Sequence, residues 1–363
     1  MRYLRNFLLL LQSLRLGVLL VNLISFPTLR PVRAAPTGKR PRVSLLIPMR
    51  NEAHNLPENL PSWLRQGADE VLLLDDHSED DSRALAGALA GHNPHFRLLA
   101  GEDLPAGWMG KTWACMQLGQ AASGDILIFT DADVHWEDGA LDALLDLVQR
   151  SDADLLTVWP RHQVGSLGER LLVPYLDVIL LTTLPYPLVY TRYPLASAGN
   201  GQVMAFRRAA YQRLGGHQAV RKEVLEDMMF ARKLKAQGGK LRFALGGQMI
   251  RVRMYKNYKE VLEGFGKNFS AFHWDSRSFM VFSAIGYFLI YTIPFLFLPK
   301  KGWRRLIALV ALERLLVILK SGRRGLLDLS EVLLTPLAPV ASLPLYRRSF
   351  RRRYRWKGRE YRR

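Results

Sequence analysis

The sequence predicts an α/β domain with a mostly parallel sheet between about residues 41 and 275. Four short apolar runs alternate there with helical patterns: VSLLIP (43–48), EVLLLDD (70–76), ILIFTDAD (126–133) and DLLTVWP (154–160). Strands that alternate with helices are typical of parallel sheets. Ligands of such sheets bind at the carboxyl ends of the strands. The polar residues that follow these runs are therefore expected to share one site.

Apolar segments at both ends of the chain predict membrane helices. Residues 7–29 are long enough to span a bilayer, which takes about 20 residues, and we prefer a retained helix to a signal peptide although Arg15 lies near its middle. Residues 279–298 carry no charged side chain and give the strongest prediction of a span. Residues 304–321 carry two charges near their middle, so we expect this segment at the membrane interface.

Charge and composition divide the chain further. The predicted divisions are a membrane helix with a basic flank (1–40), the α/β domain (41–275), C-terminal membrane helices (276–346) and a basic tail (347–363). The tail contributes +9 of the formal net charge of +19. By the positive-inside rule, the basic flank predicts a cell-membrane protein with its α/β domain in the cytoplasm and an anionic membrane surface as partner. A nucleic-acid-binding protein is the alternative for such charge, but basic residues beside apolar spans favour the membrane.

The third strand ends in two acids separated by one residue, Asp131 and Asp133. Carboxylate pairs bind hard divalent cations such as Mg²⁺ or Mn²⁺ and leave positions open for phosphate. A lone pair of this kind is more often a turn or a helix cap. The buried strand before it and the other polar strand ends favour a metal site here.

Other polar residues follow predicted strands or open predicted helices. An acid such as Asp76 can accept hydrogen bonds from a base or a ribose, and Lys111, in PAGWMGKTWAC, offers a point charge for phosphate. A P-loop is rejected for Lys111 because its glycine spacing and its preceding strand are both missing. Glu226 and Asp227 open a helix, where they suit the helix dipole or, alternatively, supply a general base. The loop SAGNGQVMAF (197–206) is either a turn or the wall of an acceptor pocket.

Taken together, residues 41–270 resemble the family-2 inverting glycosyltransferases of the GT-A fold. The resemblance is carried by VSLLIPMRNE, VLLLDDHSEDDS, FTDAD and LED, in the order of the family's nucleotide, metal and catalytic motifs. Within that family, PAGWMGKTWAC, AGNGQVMAF and RMYKNYKEVLEGFGKN resemble the membrane-anchored lipid branch, such as carotenoid (diaponeurosporenoate-type) and hopanoid enzymes. The family's Q-x-x-R-W motif is absent, and RVRMY (251–255) stands near its place.

The resemblance implies a role for each matching residue. The donor would be bound by a set of six residues, Pro48, Asn51, Glu52, Asp76, Lys111 and Asp131, and the metal by Asp131 and Asp133. Asp227 would be the catalytic base, and the acceptor would contact Asn200, Gly201, Gln202, Glu226 and Arg253, the last in place of the missing motif's arginine.

The expected activity is transfer of a sugar from a nucleotide donor, expected to be a UDP-sugar, to a membrane lipid such as a carotenoid, a hopanoid or a glycerolipid- or sphingolipid-like lipid. Asp227 would deprotonate the acceptor, and the product would have inverted configuration. The metal and Lys111 would stabilise the leaving diphosphate. A membrane nucleotidyltransferase that uses the same carboxylates is the alternative. We expect no nucleic acid partner.

Overall fold

The computed structural model describes residues 1–32, 40–349, 353–356 and 359–362 of the chain. It divides the chain into two compact units. The sheet unit comprises Pro27–Arg161 and Pro187–Val252, and the helical unit comprises Met1–Phe26, His162–Tyr186 and Arg253–Arg363. Arg33 and Lys39 of the predicted basic flank, and much of the basic tail, lie outside the described residues.

The sheet unit is built on a seven-stranded, mostly parallel sheet with the order β3-β2-β1-β4-β8-β6-β9. Only β8 runs against its neighbours, β4 and β6. A second, small sheet pairs β5 with β10. The strands are β1 (Val43–Met49), β2 (Glu70–Asp75), β3 (Phe96–Ala100), β4 (Ile126–Thr130), β5 (Val134–Trp136), β6 (Leu155–Trp159), β7 (Arg161–His162), β8 (Val203–Arg207), β9 (Leu241–Leu245), β10 (Ile250–Val252), β11 (Arg353–Trp356) and β12 (Arg359–Arg362).

Helices precede, connect and follow these strands. In the sheet unit, α4 packs against β1 and α2 packs against α3. The helices are α1 (Arg2–Ser25), α2 (Leu56–Leu64), α3 (Ser82–Ala90), α4 (Gly110–Ala121), α5 (Ala140–Arg150), α6 (Leu167–Leu172), α7 (Tyr175–Thr183), α8 (Arg208–Arg213), α9 (Glu226–Ala236), α10 (Tyr258–Phe272), α11 (Arg277–Tyr291), α12 (Ile293–Leu296), α13 (Lys301–Lys320), α14 (Leu326–Ser330) and α15 (Ala338–Ser349).

The four predicted strands are confirmed as β1, β2, β4 and β6. All of β2 and β4 is buried, which explains why these strands read as unbroken apolar runs. The expectation that no strand precedes Lys111 was wrong, because β3 ends eleven residues earlier at Ala100. Its sequence, FRLLA, places an arginine within a short run and is only partly buried at the edge of the sheet, so its pattern is weak.

The helical unit buries several polar side chains and exposes several large apolar ones. The buried stripe of α1 includes Gln12 and Asn22, whereas Tyr3 and Ile24 on the same helix are each 90% exposed. Arg15 forms an ion pair of 3.2 Å with Glu313 of α13, whose side chain is fully buried. These polar side chains within the apolar segment 7–29 therefore contact other helices of this unit.

Two helical stretches of the described chain are long and apolar enough to cross a membrane, Arg2–Ser25 and Leu326–Arg348. The uncharged segment 279–298 is not one continuous helix, because α11 ends at Tyr291 and a second short helix, α12, follows with Pro294 in its first turn. At 15 residues, α11 is shorter than the roughly 20 that a perpendicular span takes.

Candidate active site

The carboxyl ends of β1, β2 and β4 lie side by side at one edge of the sheet. Met49 at the end of β1 pairs with Asp75 at the end of β2, and the backbone N–H of Asp76 donates to the Met49 carbonyl at 2.8 Å. β4, on the other side of β1, delivers Asp131 and Asp133 just after Thr130. Parallel pairing thus brings the predicted donor-binding strand ends together, as the sequence pattern predicts.

Side chains from the two loops after β1 and β2 hold these loops to each other. Asn51 has a left-handed backbone (φ 54°), and its side-chain carbonyl accepts the N–H of Glu79 at 2.8 Å. The Arg50 guanidinium donates to the Asp76 carbonyl at 2.7 Å. Glu52 and Asp76 are both buried. These hydrogen bonds join the loop after β1 to the loop after β2. Pro48 lies within β1, one residue before the strand ends.

Lys111 contacts three other residues that the sequence predicts for the site. Its ammonium is 2.7 Å from the Asp131 carboxylate, 3.2 Å from the Glu226 carboxylate and 3.1 Å from the Gly201 carbonyl. Burial by itself lowers its pKa, but the charges of Asp131 and Glu226 together raise the pKa of Lys111 well above its ordinary value. Lys111 therefore remains positively charged at neutral pH. It lies between Asp131, which was predicted to bind the donor and the metal, and Glu226, which was predicted to contact the acceptor.

Asp227, at the first turn of α9, is held by backbone hydrogen bonds. One carboxylate oxygen accepts the N–H of Gly201 at 2.9 Å, and the other accepts the N–H of Met228 at 2.7 Å. Burial and the neighbouring Glu226 carboxylate raise the pKa of Asp227 to about 7, although these hydrogen bonds and the charge of Lys111 act in the opposite direction. A carboxyl group with this pKa is half ionised at neutral pH, as a general base requires.

The loop before β8 approaches Asp227 closely because two of its residues are glycines. A Cβ at Gly199 would lie 2.8 Å from the Asp227 carbonyl, and one at Gly201 would lie 2.9 Å from Glu226 Oε1. Between them, Asn200 is buried, and its side chain accepts the N–H of Gln202 at 2.7 Å. The loop predicted to bind the acceptor therefore lies beside the predicted base.

Two hydrogen bonds that no sequence motif predicts join α4 to the chain before α9. The N–H of Met109 and the hydroxyl of Thr112 both donate to the carbonyl of Arg221, at 2.9 and 3.2 Å. They tie the start of α4 to the loop that leads into α9. Lys111 and Asp227, which are 116 positions apart in the sequence, are brought to the same loop through this link.

Phe129, Phe206 and Phe230 pack with Tyr211 and His217 in the core of the sheet unit. Burial lowers the pKa of His217 to about 3, so its ring is neutral, and its Nδ1 lies 2.8 Å from the Tyr211 hydroxyl. This histidine thus has a structural role in the core. Its hydrogen-bond partner lies six residues away in the sequence, and no motif marks the pair.

Arg253 belongs to the helical unit, where its guanidinium makes two hydrogen bonds to the buried Glu169, at 3.1 and 3.2 Å. Its side chain remains 43% exposed.

As to metal ligands, no group of three or more His, Cys, Asp or Glu side chains in the described ranges is arranged to hold an ion. Asp131 and Asp133 form a pair of carboxylates rather than a complete coordination shell.

Sequence comparisons identify the domain. The family model described as glycosyl transferase family 2 matches residues 44–215. The chain is 26% identical over 239 residues to 4,4'-diaponeurosporenoate glycosyltransferase of Staphylococcus haemolyticus, over 62% of this chain and 60% of that protein. It is 28% identical over 131 residues to glycosyltransferase AglD of Haloferax volcanii, over 34% of this chain and 20% of that protein. The matched regions thus span less than two thirds of either relative.

A structural comparison agrees with the sequence comparisons on the fold. The mannosyltransferase PcManGT from Pyrobaculum calidifontis, solved in complex with GDP-Man and Mn²⁺, aligns with a TM-score of 0.52 at 19% identity, over 95% of this chain and 94% of that chain. At this identity the likeness concerns the fold. The chain therefore contains a glycosyltransferase family 2 domain, at residues 44–215, and has the GT-A fold.

Proposed function

We propose that this protein is an inverting glycosyltransferase that moves a sugar from a UDP-sugar to a hydroxyl group of a membrane lipid. The observation that carries the proposal is the cluster of Lys111, Asp131, Glu226 and Asp227 around Gly201 at the carboxyl ends of the strands. It combines a cation suited to phosphate (Lys111), one carboxylate of the predicted metal-binding pair (Asp131) and a carboxylate with the pKa of a base (Asp227).

The reaction follows from these groups. Asp227 accepts the proton of the acceptor hydroxyl, and that oxygen attacks the anomeric carbon on the face opposite the diphosphate. The bond from carbon to the diphosphate oxygen breaks, and UDP leaves with the electron pair. The two backbone N–H groups on Asp227 orient its carboxylate and leave lone pairs for the proton.

The leaving diphosphate requires positive charge. Lys111 is close enough to the strand ends to supply one point charge. Asp131 and Asp133 offer the hard oxygen donors that Mg²⁺ and Mn²⁺ prefer, and both side chains are partly exposed, so the donor set fits such an ion. When bound there, the ion would neutralise charge on the diphosphate.

A lipid acceptor is supported by the helical unit. It exposes large apolar side chains along α1, α11 and the segment from residue 326 onward, and two of its helical stretches are long enough to cross a bilayer. The relative from Staphylococcus haemolyticus is named as a 4,4'-diaponeurosporenoate glycosyltransferase. Basic residues of the flank and tail are expected to add about 1 kcal/mol each near an anionic surface.

Lipid mass spectrometry of cells with and without the gene tests the function. We expect one lipid class to shift by the mass of a sugar when the protein is present, which identifies acceptor and sugar size together. Unchanged lipids, together with no release of UDP from UDP-sugars by purified protein and membrane extract, contradict the proposal.

The variant Asp227→Asn tests the base. We expect turnover to fall by about 10²–10⁴-fold, the usual contribution of general base catalysis, while UDP binding persists. Asp146→Asn is the matched control, because Asp146 pairs only with Arg150 on the surface of α5 in its described contacts. Retained turnover contradicts the assignment and points to an acceptor carboxylate, which is already ionised at neutral pH.

Analysis of the products released from the UDP-sugar distinguishes the proposed function from its alternative, a membrane nucleotidyltransferase. Transfer of the sugar releases UDP from the UDP-sugar, whereas transfer of the nucleotide breaks the bond between the two phosphates and releases a sugar phosphate. The family 2 domain favours the first outcome. Sugar phosphate as the main product overturns the proposed function.

A further inference from the structure

Lys111 is coordinated in the way that a bound metal ion is. An ammonium has three donors, and here they face three oxygen atoms: one of Asp131 at 2.7 Å, one of Glu226 at 3.2 Å and the carbonyl of Gly201 at 3.1 Å. Two carboxylates and a carbonyl are also the oxygen ligands that hard divalent cations take. The ammonium thus contacts the Asp131 carboxylate, which the proposed function assigns to metal binding.

Charge makes the two cations competitors at Asp131. In the donor-free site, the two acids and Lys111 together carry one net negative charge. A divalent cation on Asp131 would lie beside the ammonium, and like charges at such distances repel strongly in a partly buried site. The Asp131 and Glu226 side chains are only 26% and 12% exposed, so solvent screens this repulsion incompletely.

A nucleotide diphosphate removes the conflict. It brings two or three negative charges and phosphate oxygens that both the metal and Lys111 can bind. Lys111 is the second residue of α4 and 38% exposed, and its flexible stem can turn its ammonium from one oxygen to another.

We propose that Lys111 is a resident counter-cation that blocks divalent metal binding at Asp131 until the nucleotide diphosphate arrives, so that metal and donor are taken up together. This inference rests on the proposed function and adds an order of binding to it. Glu226 is then a positioning residue that holds the ammonium, rather than a residue that only contacts the acceptor. The arrangement keeps the site closed to free metal ions while no donor is present.

The test is a Mn²⁺ titration of the full chain in detergent, with free Mn²⁺ followed by electron paramagnetic resonance, with and without UDP. We expect the wild type to bind Mn²⁺ at least about tenfold more tightly with UDP than without it. We expect Lys111→Met to raise the UDP-free affinity by about tenfold or more. Lys111→Arg, which keeps the charge, should retain the weak UDP-free binding.

Lys240→Met is the matched control, because Lys240 also pairs with a carboxylate of the sheet unit, that of Asp152, at an exposed place. It should leave Mn²⁺ binding unchanged. If Lys111→Met fails to fold, judged by its melting temperature, Lys111→Gln removes the charge with a polar side chain.

Two failures are distinguishable. A folded, charge-free variant whose UDP-free Mn²⁺ affinity stays within about twofold of wild type, while the wild type still binds UDP, overturns the Lys111 inference alone. A wild type that binds UDP neither with nor without Mn²⁺ overturns the proposed function as well.

Discussion

The two units of this chain differ in where their buried charged side chains lie and in what surrounds them. In the sheet unit, the middles of β1, β2 and β4 are buried and largely apolar, and buried acids lie at the ends of strands. In the helical unit, Glu313, Arg314 and Glu331 are buried, while large apolar side chains lie outside. The two units therefore differ in what their interiors and their surfaces contain.

The difference shows how a charge can be tolerated inside a protein. Glu313 accepts hydrogen bonds from Arg15, Gln12 and Tyr291, and Glu331 accepts them from Arg170 and Arg323. Interior charges of the helical unit therefore stabilise one another across helices. At the candidate site of the sheet unit, Lys111 lies between the carboxylates of Asp131 and Glu226, which are only partly buried.

The largest expected effect in the helical unit comes from Glu313→Ala. It leaves the largely buried Arg15 without its carboxylate, and breaking a buried pair typically costs about 3–5 kcal/mol. Denaturant unfolding in detergent measures the loss. Glu263→Ala, at an exposed position of α10, is the control and should change stability little. A loss no greater than that of the control would show that the buried pair does not stabilise this unit.

The next effect concerns the site loop. Gly201→Ala places a methyl group 2.9 Å from Glu226 and 3.3 Å from Lys111, and we expect turnover to fall about 10- to 100-fold as these groups shift. Gly87→Ala in α3 is the control, because its methyl group meets nothing within 4 Å and should raise stability by up to about 1 kcal/mol. Steady-state kinetics measure the turnover of both variants, and melting temperatures measure their stability. Normal turnover in Gly201→Ala would contradict the close packing of this loop against Glu226 and Lys111.

A smaller effect is expected from Arg253→Ala. Its ion pair is partly exposed, so stability should fall by less than about 1 kcal/mol. If Arg253 binds the acceptor, the acceptor KM should rise about tenfold, the equivalent of one charge-assisted hydrogen bond. Arg213→Ala removes a comparable exposed arginine and should leave KM unchanged. Equal KM values in the two variants would assign Arg253 to structure alone.

The smallest effect is a displacement of the pH profile. Asp227 acts as a base only when ionised, so kcat/KM should rise with pH and level off above about 7. The Glu226 charge raises the pKa of Asp227, so Glu226→Gln should move the rise to lower pH. Asp138→Asn, an exposed acid elsewhere in the unit, should leave it in place. A profile that is flat between pH 5 and 8 argues against Asp227 as the base.

Much of the sheet unit was predictable because its signals are local. We could recognise four strands, β1, β2, β4 and β6, and the polar residues after them from residues adjacent in the sequence, without knowing their neighbours in space. The family resemblance that these stretches supported is confirmed. The edge strand β3 was missed because its residues are only partly buried and their pattern is mixed. The break of the apolar segment at Tyr291 was missed because composition does not show where a helix ends.

The sequence by itself determined which residues can form strands, where polar side chains end them, and that both ends of the chain are apolar enough for membrane helices. These properties depend on residues that are close in the chain. Only the tertiary structure decided that Lys111 stands between Asp131 and Glu226, and that Arg15 meets Glu313. Such pairs join residues from about 20 to nearly 300 positions apart. Their distances depend on how strands and helices pack, which no local pattern records.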